Sequence, residues 1–158
     1  MKDVKILKFP LFFSVVTAVA LSGCDAGSTS APKPVSVAST GCFLDSVGGS
    51  NSASVHVKPG IVDFSGWAVD SKTSTSPEQV SLILKDSAGV EYSFDKANRF
   101  ERPDLVSLYK QEGYLKSGFS LKVDVSTLKP STYNVIIKMS EGASSISCAV
   151  EKTVVVGS

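Results

Sequence analysis

The chain has 158 residues, 42% of them hydrophobic, with 16 Lys and Arg against 15 Asp and Glu. That length holds one ordinary domain plus a targeting segment. The even charge balance offers no basic face for nucleic acid and no polybasic patch for a membrane surface. With a single histidine and no CxxC pair, the sequence offers no recognisable metal site.

Lys2, Lys5 and Lys8 stand around the start of an apolar run over residues 9–21 (FPLFFSVVTAVAL). The run is short for a spanning helix of about 20 residues but suits the hydrophobic region of a signal peptide. Pro10 lies near its start, where a helix tolerates proline best. The run ends in Leu21-Ser22-Gly23-Cys24, which resembles the lipobox of bacterial lipoproteins. A cleaved secretory signal with an ordinary cysteine, or an uncleaved short anchor, is the competing reading. The resemblance implies a signal peptide over residues 1–23 and cleavage before Cys24. It also implies diacylglycerol on the Cys24 thiol and an acyl chain such as palmitate on the freed amine. Several chains anchor stably where one does not. Asp25 then follows the lipidated cysteine, which resembles the enterobacterial signal for retention in the inner membrane, facing the periplasm. Removal of residues 1–23 takes away Lys2, Lys5, Lys8 and Asp3, leaving 13 basic against 14 acidic residues.

Residues 24–40 (CDAGSTSAPKPVSVAST) comprise that cysteine and a stretch rich in Ser, Ala, Thr, Gly and Pro. Such composition buries too little apolar area to fold and predicts a flexible linker that holds the domain away from the membrane. With Cys24 assigned to lipid, Cys42 and Cys148 remain as an even pair in an oxidising compartment, which predicts a disulfide. A metal site or a reactive thiol is the rival use of the pair.

Residues 41–158 form the predicted domain. Residues 54–58 (SVHVK) alternate and run into Pro59-Gly60, a dipeptide suited to a type II turn. A longer strand follows over 61–70 (IVDFSGWAVD). Residues 80–85 and 90–94 flank Asp86-Ser87-Ala88-Gly89 and predict a hairpin. Pro103 suits a first helical position, and Asp104 suits the positive end of the helix dipole. Leu105, Val106, Leu108 and Tyr109 give an apolar face, with Gly113 as the expected stop. Phe119, Leu121, Val123 and Val125 alternate with polar residues, as do Tyr133, Val135, Ile137 and Met139. Glu141-Gly142 turns the chain into a strand over 145–150, with a last edge strand over 153–156. About eight short strands and one short helix argue for a mainly β fold, an immunoglobulin-like antiparallel β-sandwich, with a closed barrel as the alternative.

Three segments in order carry a second resemblance: Ser65-Gly66-Trp67-Ala68-Val69-Asp70, then Arg102-Pro103-Asp104-Leu105 with Tyr109, then Ser117-Gly118-Phe119 running to Val123-Asp124-Val125-Ser126, Leu128 and Thr132-Tyr133. This resembles small β-domains appended to bacterial glycosyltransferases and other envelope-glycan proteins, over roughly residues 61–148. The resemblance implies a non-enzymatic module near surface carbohydrate. The present chain departs from the pattern in carrying no catalytic domain.

The candidate ligand-binding residues are Trp67, Asp70, Arg102, Asp104 and Tyr109. Trp67, mid-strand, is either core packing or a platform on which a sugar stacks. Arg102 either joins Asp70 and Asp104 in a polar site or pairs with one of them to pin the helix to the strand end. His56, on a short alternating strand, reads as a solvent-facing residue without a nucleophile beside it. No acid–base pair or activated nucleophile is apparent, so the expected protein is not an enzyme and takes no cofactor and no metal. Its expected partners are the membrane, through the lipid on Cys24, and an envelope glycan. The alternative is an envelope protein on which this lipoprotein docks as assembly factor or inhibitor.

Overall fold

The computed structural model describes residues 36–38 and 41–157. The signal-like segment, Cys24 and most of the expected linker therefore lie outside the described residues. The strands are β1 (Ser36–Ala38), β2 (Cys42–Val47), β3 (Ser54–Val57), β4 (Ile61–Ala68), β5 (Gln79–Lys85), β6 (Glu91–Phe94), β7 (Asn98–Phe100), β8 (Gly118–Asp124), β9 (Ser131–Glu141) and β10 (Ser144–Val156). A single α-helix among the described residues, α1 (Pro103–Tyr109), lies between β7 and β8.

Alternation decides which side chains meet. Val62, Phe64 and Ala68 on β4 share one face with Phe119, Leu121 and Val123 on β8. Val80, Leu82 and Leu84 on β5 do the same with Tyr133, Val135, Ile137 and Met139 on β9. These two inner faces form one core, and each large side chain so buried stabilises by about 1.5–3 kcal/mol. The four-stranded sheet runs β2-β4-β8-β7, and the six-stranded sheet runs β1-β10-β9-β5-β6 with β3 also on β10. That order matches an immunoglobulin-like sandwich with an added strand beside β5. All pairings are antiparallel except β1 and β3, each parallel to β10. The Tyr133 hydroxyl donates to the Lys129 carbonyl at 2.8 Å, the tyrosine corner of such folds, and burial raises its pKa.

Cys42 and Cys148 form the expected disulfide, which joins the first strand of one sheet to the last strand of the other. The two strands expected at the C-terminus are one, β10, which is also no edge strand. Between Ala149 and Thr153 it takes four steps while β9 takes two, from Ile136 to Asn134, so two residues bulge out. The bulge breaks the alternation and looks like a chain break in sequence. The first strand, Ser36–Ala38, falls inside the stretch whose composition suggested linker; pairing with β10 overrides composition there. Gly113 does not stop the helix. α1 ends at Tyr109 with Lys110 in the left-handed region (φ 55°), its amide donating back to Val106. Gly113 lies in a following 3-10 turn, where a Cβ would sit 2.1 Å from the Ser74 carbonyl oxygen. Close approach of the loop after β4 is what requires a glycine there.

Candidate functional site

On β4 the residues that alternate with the core, Ile61, Asp63, Ser65 and Trp67, face outward from the four-stranded sheet. Trp67 pairs with Phe43 on β2 and with Gly118 on β8, and Gly118 in turn pairs with Phe100 on β7. One row across the sheet therefore reads Phe43, Trp67, Gly118, Phe100, all on the outer face. Gly118 makes the row continuous, because a Cβ there would lie 2.5 Å from the Phe100 ring. The ring covers the space that any other residue would fill. Phe43 is 54% exposed and Phe100 39%, whereas Trp67 is half-buried.

Trp67 thus belongs to neither alternative in pure form. It packs outside the sandwich core, in a small second cluster with Val69, Leu105, Tyr114 and Val106 beneath the helix. Tyr109, 46% exposed, reaches down from α1 to place its ring 5.9 Å from Trp67 and 5.5 Å from Tyr114. Such tilted pairs add about 0.5–1.5 kcal/mol beyond their buried area. One flank of the row is therefore walled by α1, and its ends are open.

Beside the row stands a charged clamp. Arg102 Nη1 donates to Asp45 Oδ2 at 2.8 Å, while Nε and Nη2 grip the Asp104 carboxylate at 2.9 and 2.8 Å. The grip on Asp104 is bidentate, the stronger geometry for this pair. Hydrogen bonding to Arg102 holds the Asp104 carboxyl below its ordinary pKa. The bond it donates to Asp104 raises the pKa of Arg102, and the charges of both carboxylates add to it. Asp70, the other expected partner, does not join. Its carboxylate accepts from the Lys72 amide at 2.8 Å, and its backbone bridges to Thr75, so it closes the loop after β4. Arg99, deeper on β7, donates to the Lys116 carbonyl at 2.6 Å, and burial lowers its pKa.

The structure brings Trp67 and Tyr109 into contact, joins Arg102 to Asp104, and sets Asp70 apart. Sequence reasoning missed Phe43, Phe100 and Asp45. Phe43 and Asp45 lie on a strand bulged between Leu44 and Ser46, which erases the alternation that would have flagged them. Phe100 is the last residue of a three-residue strand, too short to show a period. Chemically the face offers stacking surface and carboxylate acceptors, with Arg102 already committed to its two partners. His56 is exposed on β3, away from this sheet. Comparison with family models, with curated proteins and with solved structures returns no match.

Proposed function

We propose that this chain is a lipoprotein, lipidated at Cys24 and held at the inner membrane facing the periplasm, whose β-sandwich binds envelope glycan without catalysing a reaction. The observation that carries the glycan reading is the open row of Phe43, Trp67 and Phe100, with Tyr109 raised at its side. Pyranose rings present a flat apolar face with polar edges, and exposed aromatic rings flanked by hydrogen-bonding groups match that pattern. The anchor rests on the order of basic residues, apolar run and LSGC at the start of the chain. The lipid holds the domain where such glycan is abundant, and tethering raises its effective concentration there.

The test uses the full chain in mild detergent, offered purified peptidoglycan sacculi and lipopolysaccharide beside a detergent extract of envelope proteins. Saturable retention on glycan, lost in Phe43→Ala and in Tyr109→Ala with circular dichroism unchanged, is the expected result. Both positions are exposed enough for truncation to leave the fold intact. A second reading, docking on an envelope protein, draws on Leu108, 69% exposed on α1 next to Tyr109. Capture of one envelope protein, lost in Leu108→Ala, with no retention on glycan would replace the first reading with this one.

A further inference from the structure

The chain leaves the six-stranded sheet after β1, runs as β2 in the other sheet, and returns to β10 as β3. β1 covers β10 from Ser145 to Ser147 and β3 covers it from Thr153 to Val156. Between them the bulged part of β10 faces the edge of β2 across the disulfide, and a cavity of about 370 Å³ opens there. That volume lies in the range of small-molecule sites. Phe43 lines it, as do the disulfide, Asn51, Ala149 and Lys152. The aromatic row thus runs off the edge of β2 into this cavity.

Lys152 is the unusual group in its wall. The residue is 7% exposed, and among the described residues its ammonium donates to two carbonyls, Asn51 at 2.9 Å and Asp45 at a long 3.4 Å. An ammonium carries three donors. No carboxylate among the described residues forms an ion pair with it, since the Asp45 carboxylate is held by Arg102. Glu151, the one acid lining the cavity, is exposed and unpaired with Lys152. A buried, uncompensated cation is costly unless an anion completes its shell. As a mere bracket for the bulge, a neutral donor would serve the same two carbonyls at lower desolvation cost.

We propose that this cavity receives the carboxylate of an acidic sugar, paired to Lys152, so that the glycan recognised is anionic. The inference rests on the glycan reading above and narrows its substrate class. A neutral ring stacks on Phe43 while an adjoining uronate points its carboxylate past the disulfide to the spare N–H of Lys152.

The experiment is calorimetric titration of the full chain in detergent with a trimer of galacturonic acid and a neutral trimer of galactose. Expected is a preference of about tenfold or more for the acidic trimer, the size of one hydrogen bond to a charged partner. Lys152→Met is expected to abolish the preference and Lys152→Arg to keep most of it. Ala149→Glu, an exposed substitution on the cavity wall, should abolish it without touching Lys152, which covers the case in which Lys152→Met fails to fold. Equal binding of both trimers, lost in Phe43→Ala but unchanged in Lys152→Met or Ala149→Glu, would overturn the inference and leave the glycan reading standing. Binding of neither trimer would overturn the inference, while the glycan reading would stand or fall on retention on sacculi and lipopolysaccharide.

Discussion

The two faces of the sheet β2-β4-β8-β7 are built from the same strands yet follow different rules. On the inner face Val62, Phe64, Leu121 and Val123 meet a second sheet and are buried in the core. On the outer face Asp63, Ser65 and Lys122 meet water, until one end, where Trp67 meets a helix folded back from the β7–β8 connection. The inner face is a continuous surface whose partner is fixed by the whole fold. The outer cluster depends on one seven-residue helix that cannot be stable alone. Stability therefore concentrates inside, and the outer aromatic row, little needed for the core, is where the proposed binding would fall.

The sharpest test of that contrast stays within one strand. Phe64→Ala, at a position with no exposure, should cost about 3–5 kcal/mol through lost transfer energy and a cavity. Ile61→Ala, on the opposite face of β4 and mostly exposed, should stay within about 0.5 kcal/mol. Urea melts of both variants measure the difference; comparable losses would mean that the outer face carries structural load. Removing the covalent tie between the sheets comes next. Cys42→Ala with Cys148→Ala opens a link across 106 residues and should lower stability by about 2–5 kcal/mol. The same loss should follow when the native protein is unfolded in reductant, and a variant as stable as the parent would show the tie to be redundant.

Legibility in the sequence followed the same division. The core strands β4, β5, β8 and β9 were readable because each alternates against a single apolar partner surface, and Asp86-Ser87-Ala88-Gly89 announced its hairpin. There the Asp86 carboxylate accepts from Ala88 and Val90, and Gly89 takes φ 86°. The disulfide was readable from parity. What stayed hidden depends on register or long-range contact. The bulges in β2 and β10 shift side chains between faces, so Phe43, Asp45 and Lys152 carry no local signal. Arg102 meets Asp45 across 57 positions, a pairing no periodicity encodes. Trp67, by contrast, was singled out for an undecided reason, since mid-strand position alone does not say which face it takes.

A smaller effect probes the outer face itself. Gly118→Ala places a Cβ against the Phe100 ring and 2.8 Å from the Phe100 carbonyl oxygen, so β7 has to move or the ring has to swing out. Overpacking of this kind should cost about 1–3 kcal/mol. The larger consequence is for binding, because the ring would leave the row. Retention on sacculi should fall in Gly118→Ala by more than its stability loss explains. Unchanged retention would remove Phe100 from the site while leaving Phe43 and Tyr109 in it.

The smallest expected effect distinguishes the clamp from the row it borders. Asp104 is mostly exposed, so its ion pair with Arg102 is screened by solvent and adds little to stability. Its direction with pH is nonetheless defined. Hydrogen bonding to Arg102 lowers the folded-state pKa of Asp104 below the ordinary value of 3.8. A group depressed in the folded state contributes stability above its unfolded pKa and loses it as pH falls through the folded value. Asp104→Asn should therefore be slightly less stable than the parent at about pH 7, and the gap should be smaller at about pH 2, as the parent carboxyl begins to take up its proton. Paired urea melts at the two pH values test this, with a carbon-detected titration of the Asp104 carboxyl to fix where the change occurs. An Asp104 that titrates at its ordinary value would mean that the clamp is not held in solution. The wall beside the aromatic row would then be looser than the geometry of Arg102 and Asp104 implies.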